Sequence, residues 1–183
     1  RAGGKYDWLN NSFDTGDAIA YRPDGGAKII LDSQDLRDIT PDSKINVGAL
    51  ILGEEIYEAL EGEEFRKGQL RVDKWMDKAV VKDHPVWKVL ARNQALLDDY
   101  ADLIFAEGKE RFGYDNAMGV FPSSAQGNTP EMRAWWVYWL GGRSFVDSRS
   151  YLGNDSGRLV GVAPEAQSAK ISGAGNVKTY TIA

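Results

Sequence analysis

The order of patterns along the chain predicts an α+β domain. A two-strand hairpin comes first, amphipathic helices fill the middle third, and strand-like apolar runs separated by long loops close the sequence. Three stretches carry this expectation: "DAIAYRPDGGAKIIL" at 17–31, the three-and-four spaced apolar residues between 72 and 113, and "MRAWWVYWL" at 132–140. A length of 183 residues suits one well-filled core, so 1–183 reads as a single domain.

In the first stretch two apolar runs flank Pro-Asp-Gly-Gly, where Pro presets one turn position and Gly accepts a positive φ at another, which predicts a β-hairpin. A capped turn around Ser33 and a proline break at Pro41 follow, then an apolar run from Ile45 to Leu52, and Gly48 to Leu60 reads as helical. Val72, Trp75, Met76, Ala79 and Val80 recur at helical spacing and predict a helix packed by one stripe. A longer helix is predicted after a cap at Asp83 or His84, with Pro85 at its first position. Its buried stripe is Val86, Val89, Leu90, Leu97, Tyr100 and Ile104, and its stop is Gly108 or Gly113. From Tyr114 to Pro130 the chain reads as loop. "MRAWWVYWL", "GRLVGVA" and "NVKTYTIA" read as strands. No internal repeat is visible.

Composition removes several function classes. The net charge is −5 with no cluster of Lys and Arg, so no nucleic-acid surface is expected, because phosphate binding depends on clustered cations. The absence of Cys excludes disulfides, a thiolate nucleophile and thiolate metal sites. No apolar run reaches the length of a transmembrane helix, and "RAGGKYDWLNNSFDTGD" lacks the apolar core of a signal peptide, although Arg at position 1 leaves an upstream segment open.

His84 is the single histidine, so a catalytic triad or a His-ligated metal has to use it. Its place beside Pro85 at a helix start fits an N-cap instead. The acidic run Glu54, Glu55, Glu58, Glu61, Glu63, Glu64 reads as the wet face of a helix whose other face carries Ile51, Ile56 and Leu60. Asp98, Asp99 and Asp102 read as the wet face of the long helix. "GGRSFVDSRSYLG" lacks both the dinucleotide and the Walker arrangement. No catalytic residue, metal ligand or cofactor is expected.

What stands out is Trp135 to Gly161. Trp135, Trp136, Trp139 and Leu140 carry more apolar surface than a loop can use and read as a buried foundation. Beyond them Phe145, Arg149, Leu152 and Arg158 read as spaced anchors. The positions between are small or polar: Gly141, Gly142, Ser144, Val146, Asp147, Ser148, Ser150, Tyr151, Gly153, Asn154, Asp155 and Ser156. Each residue at these display positions is reachable from an Asn codon of the AAY type by changing only its adenines. The five residues that are not so reachable, Lys, Glu, Gln, Met and Trp, are absent from Gly141 to Gly157.

On "MRAWWVYWL", the small-residue segment and "GRLVGVAPEA", the chain resembles the variable proteins of diversity-generating retroelements, which end in a C-type lectin-like domain related to the formylglycine-generating enzyme fold. The resemblance covers roughly residues 132 to 166. It implies helices packed against a small antiparallel sheet with long loops, and a variable ligand-binding region at about 138–158. In that family an error-prone reverse transcriptase rewrites template adenines, and the altered residues face the ligand. Carried over, the display positions are the diversified ones, with Arg143 and Tyr138 at the edge. Trp135, Trp136, Leu152, Arg158, Leu159 and Val160 are fixed scaffold. The implied partner is a protein or cell-surface ligand and the implied setting a virion or cell surface. Two departures matter. "QSAKISGAGNVKTYTIA" follows the segment, and both the catalytic cysteine of the formylglycine-generating branch and the Glu-Pro-Asn and Gln-Pro-Asp sugar motifs are missing, so neither that activity nor calcium-dependent sugar binding is implied. Two other readings stay open: a hydrolase or lyase using Asp147 and Asp155 with Arg149 or Arg158 as an electrostatic clamp, and a structural virion or surface component whose loop is only a tip.

Overall fold

The computed structural model describes residues 12–140, 142–150, 152 and 158–159. Pro23 and Asp24 occupy the corner of a tight turn in which Gly25 N–H donates to the Arg22 carbonyl, and Gly25 itself takes φ +94°. The turn joins β1 (Ser12–Tyr21) to β2 (Ala27–Ile30), antiparallel from Ala18↔Ile30 to Tyr21↔Ala27, as the sequence predicts.

Two ten-residue strands, β1 and β8 (Glu131–Leu140), run antiparallel through the centre of the sheet. Each is too long for its other neighbours, so its free edge is shared by two short strands. Along β1 these are β2 and β10 (Arg158–Leu159), the latter parallel. Along β8 they are β4 (Ala49–Ile51), hairpin partner of β3 (Ile45–Asn46), and β9 (Arg143–Asp147). β5 (Glu63–Phe65) extends one side beyond β2. β7 (Met118–Phe121) and β6 (Asp73–Met76) extend the other beyond β9, giving the order β5-β2-β1-β8-β9-β7-β6. The α+β class holds. Among the described residues the sheet is ten-stranded and mixed, with parallel pairing at β7·β9 and β1·β10, and this corrects the expected small antiparallel sheet.

Helices α3 (Lys78–Asp83), α4 (Pro85–Ala91) and α5 (Gln94–Phe112) cover one face, burying Val81, Val86, Trp87, Leu97, Ala101, Ile104 and Phe105 against Ile19, Ile29, Met118, Val120, Trp135 and Val146. The opposite face has a smaller core, in which Ala18, Ala20, Ile30 and Met132 meet Leu52 and Tyr57. Short helices α1 (Gln34–Arg37) and α2 (Glu54–Ala59) accompany it, with Leu36 and Leu60 packed against that core. Strand alternation divides the two: Ile19 and Trp135 point to the long helices, Ala20 and Met132 away from them.

Four element predictions are corrected. Residues 48–60 are a strand and then a short helix, whose buried residue is Tyr57 while Ile56 is exposed. Residues 73–76 form β6, not a helix. Asp77 caps α3 by accepting from Val80 N–H at 3.0 Å, so the helix begins only beyond it, and of the proposed stripe only Met76 is buried. The long helix is two. Arg92 turns left-handed at φ +58°, and the Asn93 side chain accepts from Ala95 and Leu96 N–H at 2.8 and 3.2 Å to start α5. The supposed loop after Tyr114 contains β7. The caps and stop are as expected: His84 Nδ1 accepts from Val86 N–H at 3.2 Å, and Gly113 ends α5 at φ +74°. Beyond Leu159, the predicted strand ends in "GRLVGVA" and "NVKTYTIA" lie outside the described residues.

Candidate functional site

β9 is the element that decides which of the proposed display residues can meet a ligand. It is a central strand between β8 and β7, so its side chains alternate between the helix-covered core and the opposite face. Ser144 and Val146 point inward and are fully buried. Arg143 and Phe145 point outward and are half-buried. The expectation that 141–156 forms one displayed surface is therefore corrected at Ser144, Val146, Asp147 and Ser148, all in the interior. A loop-like composition concealed a strand whose burial alternates over 143–146 and is continuous over 146–148.

The buried serines have work in the core. Ser144 Oγ lies 2.6 Å from the Tyr100 hydroxyl of α5, and burial pushes the Tyr100 pKa up to about 12. Ser148 Oγ lies 2.6 Å from the Tyr21 hydroxyl of β1. Both oxygens accept from Ser123 N–H, at 3.0 and 2.9 Å, and burial holds the Tyr21 hydroxyl well above its ordinary pKa. Ser150, half-buried, repeats the arrangement with Tyr138 of β8 at 2.7 Å. Gly142 is buried in a left-handed turn at φ +82°, and a Cβ there would fall 2.1 Å from the Phe112 ring, so it too is not a free display position.

Asp147 is the sequence-proposed carboxylate. Its Oδ1 accepts from Arg149 N–H at 2.6 Å and from Arg149 Nε at 3.1 Å, and its Oδ2 accepts from Arg149 Nη2 at 2.6 Å, a forked pair. Arg149, half of whose side chain is exposed, lies 4.6 Å over the Phe121 ring. Leu152 donates its N–H to the Gly48 carbonyl at 2.8 Å, tying the segment to the β3–β4 turn. Gly141, Tyr151, Gly153, Asn154, Asp155 and Ser156 lie outside the described residues, as does the Asp155 half of the proposed carboxylate pair. Of the foundation, Trp135 and Trp136 are buried, 0% and 7% exposed.

The outward face of β6, β7, β9 and the far end of β8 carries a continuous aromatic cluster, buried at Phe121 and half-buried at Trp75, Tyr138 and Phe145. Phe145 stacks on Tyr138, its cross-strand partner, at 4.9 Å and 6°, and meets Phe121 and Trp75 edge-on at 5.2 and 5.8 Å. Gly119, opposite Phe145, leaves room for the Phe121 ring, 2.9 Å from where a Cβ would stand. Trp75 reaches this face from a bulge in β6, where it takes φ +46°. The Arg143 guanidinium lies over two rings, 4.7 Å from Trp75 and 3.9 Å from Tyr114, and Tyr114 stacks on Phe112 at 5.8 Å. Sequence reading placed Trp75 in a helix and passed over Tyr114 and Phe121. The run "AMGVF" was the available sign of β7.

Several other titratable groups are paired within the fold. Asp73 Oδ2 lies 3.1 Å from His84 Nε2, burial lowers the His84 pKa, and both ring nitrogens are engaged. Glu54 and Glu58 pair with Arg22, and Asp98 and Asp102 with Lys82. Lys28, nearly buried, donates Nζ to the Tyr57, Glu58 and Leu60 carbonyls at 3.1–3.3 Å and so closes the end of α2. Among the described residues no three His, Cys, Asp or Glu side chains stand together as a metal site, and no helix is long and apolar enough to cross a membrane.

No protein-family model matches the sequence, and no curated protein matches it. Among solved structures, one described as "Accommodation of massive sequence variation in Nanoarchaeota by the C-type lectin fold" is similar at 13% identity and a TM-score of 0.48, over 76% of this chain and 72% of the other.

Proposed function

We propose that this chain is a C-type lectin-like ligand-binding protein of the kind diversified by a retroelement, recognising a macromolecular or cell-surface target through the outward face of residues 138–158, and that it performs no catalysis. The observation that carries the reading is the division of labour within 142–150. Core-facing side chains are committed to Tyr21, Tyr100 and the interior, while Arg143, Phe145, Arg149 and Ser150 remain at least partly open on an aromatic face. Rigid aromatic area beside adaptable polar groups is how binding surfaces combine affinity with low ordering cost. The restriction of 141–157 to residue types reachable from AAY codons adds the diversification part, and the fold name rests on the resemblance of 132–166.

Two experiments test it. Genes from related isolates should differ most at the open positions, with a near-identical adenine-bearing repeat and a reverse transcriptase gene nearby; lack of both would sink the retroelement part. Binders selected from a displayed peptide library against the immobilised chain should lose binding when Arg143, Ser150 and Tyr151 are replaced by Ala. Binders indifferent to every residue of 141–156 would leave a structural tip as the better account. For the hydrolase alternative, the forked Arg149 pair already occupies the Asp147 lone pairs that a general base needs.

A further inference from the structure

Arg143 differs from the other guanidinium on this face. Arg149 lies over an aromatic ring too, but it is paired with Asp147. Arg143 lies over Trp75 and Tyr114, its Nε is buried without a hydrogen-bond partner, and it has neither an ion pair nor a hydrogen bond to any described residue. The neighbouring acids are already engaged. Asp73 faces Arg71 and His84, Asp115 faces Lys109, and Asp147 faces Arg149.

A guanidinium held by two rings has lost most of its rotamer freedom in advance, and its planar edge presents two parallel donors, the geometry that a carboxylate accepts with both oxygens. Burial of Nε leaves the Nη1 and Nη2 edge as the part of the side chain open to solvent. The surrounding wall is aromatic, which lowers the local dielectric and strengthens a charge pair formed there. The chain as a whole is acidic at −5, which disfavours polyanions by long-range repulsion while leaving a single anionic group free to approach an isolated cation.

We infer that Arg143, fixed over Trp75 and Tyr114, is a carboxylate-binding subsite, and that the ligand of this face carries an isolated carboxylate, from an acidic peptide side chain or from a sugar acid. This rests on the binding reading above and adds the ligand's chemistry to it.

The test is a ¹H–¹⁵N titration of the full chain that follows the Arg Nε–Hε and Trp indole signals, with Arg143 assigned through R143K. The probes are N-acetyl-glutamate amide, methyl glucuronide, N-acetyl-glutamine amide and inorganic phosphate. Saturable shifts at the Arg143 Nε and Trp75 indole signals with either carboxylate, at least tenfold weaker in R143Q and absent with the glutamine amide, support the subsite. The carboxylate that saturates first names the source. R143K guards against a folding defect: it keeps the charge and loses the fork, so its affinity should also fall severalfold while its Trp135 indole signal stays in place. No saturable shift with either carboxylate, equal shifts at Arg149, or tighter binding of phosphate would overturn it. The library selection is independent, since binders that need 141–156 but tolerate R143Q would refute the subsite and leave the binding reading standing.

Discussion

Replacing Ser148 by Ala separates a core residue from a display residue. The Ser148 hydroxyl is buried, 2.6 Å from the Tyr21 hydroxyl and 3.0 Å from Ser123 N–H. Ser123 N–H keeps a second acceptor in Tyr21 at 2.9 Å, so its bond survives. What is lost is the partner on the other side of the Tyr21 hydroxyl, which is itself 4% exposed and cannot turn to water. A buried hydroxyl left with half its hydrogen bonding unmet costs about 1–3 kcal/mol. For a chain of this size each kcal/mol lowers Tm by roughly 2–4 °C. Urea unfolding at neutral pH should therefore show a reduced midpoint at unchanged slope, whereas Thr129→Ala, on an exposed loop, should stay within about 0.5 kcal/mol. Tyr21→Phe removes the other half of the pair. The double variant should cost less than the sum of the two, because neither hydroxyl is then left without the other. A Ser148→Ala loss below about 0.5 kcal/mol, or strict additivity with Tyr21→Phe, would refute the placement of Ser148 in the core.

Three further outcomes are expected. Gly142→Ala should destabilise by more than about 1–2 kcal/mol, since the left-handed φ and the Phe112 ring both oppose a Cβ; calorimetry checks it, and Phe112→Ala in the same chain should restore only the part due to the clash. Lys28→Met should cost about 1–3 kcal/mol in urea unfolding by leaving the last carbonyls of α2 without their donor, with Glu64, largely exposed, contributing little of it. His84 is held neutral, because its Nδ1 accepts a backbone N–H and burial lowers its pKa below 6.5; the unfolded chain thus binds the proton first, and stability should fall as pH drops from about 6.5 toward the lower folded value. Urea midpoints between pH 7.5 and 5 measure that fall, and His84→Asn, which keeps a cap acceptor without titrating, should flatten it.

Elements set by local chemistry were readable from the sequence. Pro23 and Gly25 specify the hairpin, His84 with Pro85 starts α4, Gly113 stops α5, and the bulk of Trp135 and Trp136 requires burial. Elements set by distant partners were not. Val72, Trp75, Met76, Ala79 and Val80 keep helical spacing. The bulge between Asp73 and Met76 puts Trp75 and Met76 on opposite sides of a strand, and only the pairing with β7 makes that strand form. β7 was hidden by Gly119 in the middle of its run, a residue weak in strand propensity that is present to admit the Phe121 ring. At the candidate site the inward or outward placement of each side chain was not legible. Small polar residues read as exposed, yet Ser144 and Ser148 are small because Tyr100 and Tyr21 occupy the space and supply the hydroxyls.

That exchange of size between serine and tyrosine has a consequence for how a changeable surface can be carried on this sheet. Tyr100 comes from α5, Tyr21 from β1 and Tyr138 from β8, so three separate elements grip successive even-numbered serines of one segment. Any larger residue at 144 or 148 has to displace a buried ring as well as break its hydrogen bond, a combination in the range of about 2 kcal/mol or more for each site. The outward position 143 carries no such constraint: changing Arg143 leaves the grips on 144 and 148 intact. Over 143–146 the alternation of β9 therefore separates side chains committed to the core from those left partly open. On the proposed reading, changes are tolerated best at the outward positions, beside the ring cluster of Trp75, Phe121, Phe145 and Tyr138.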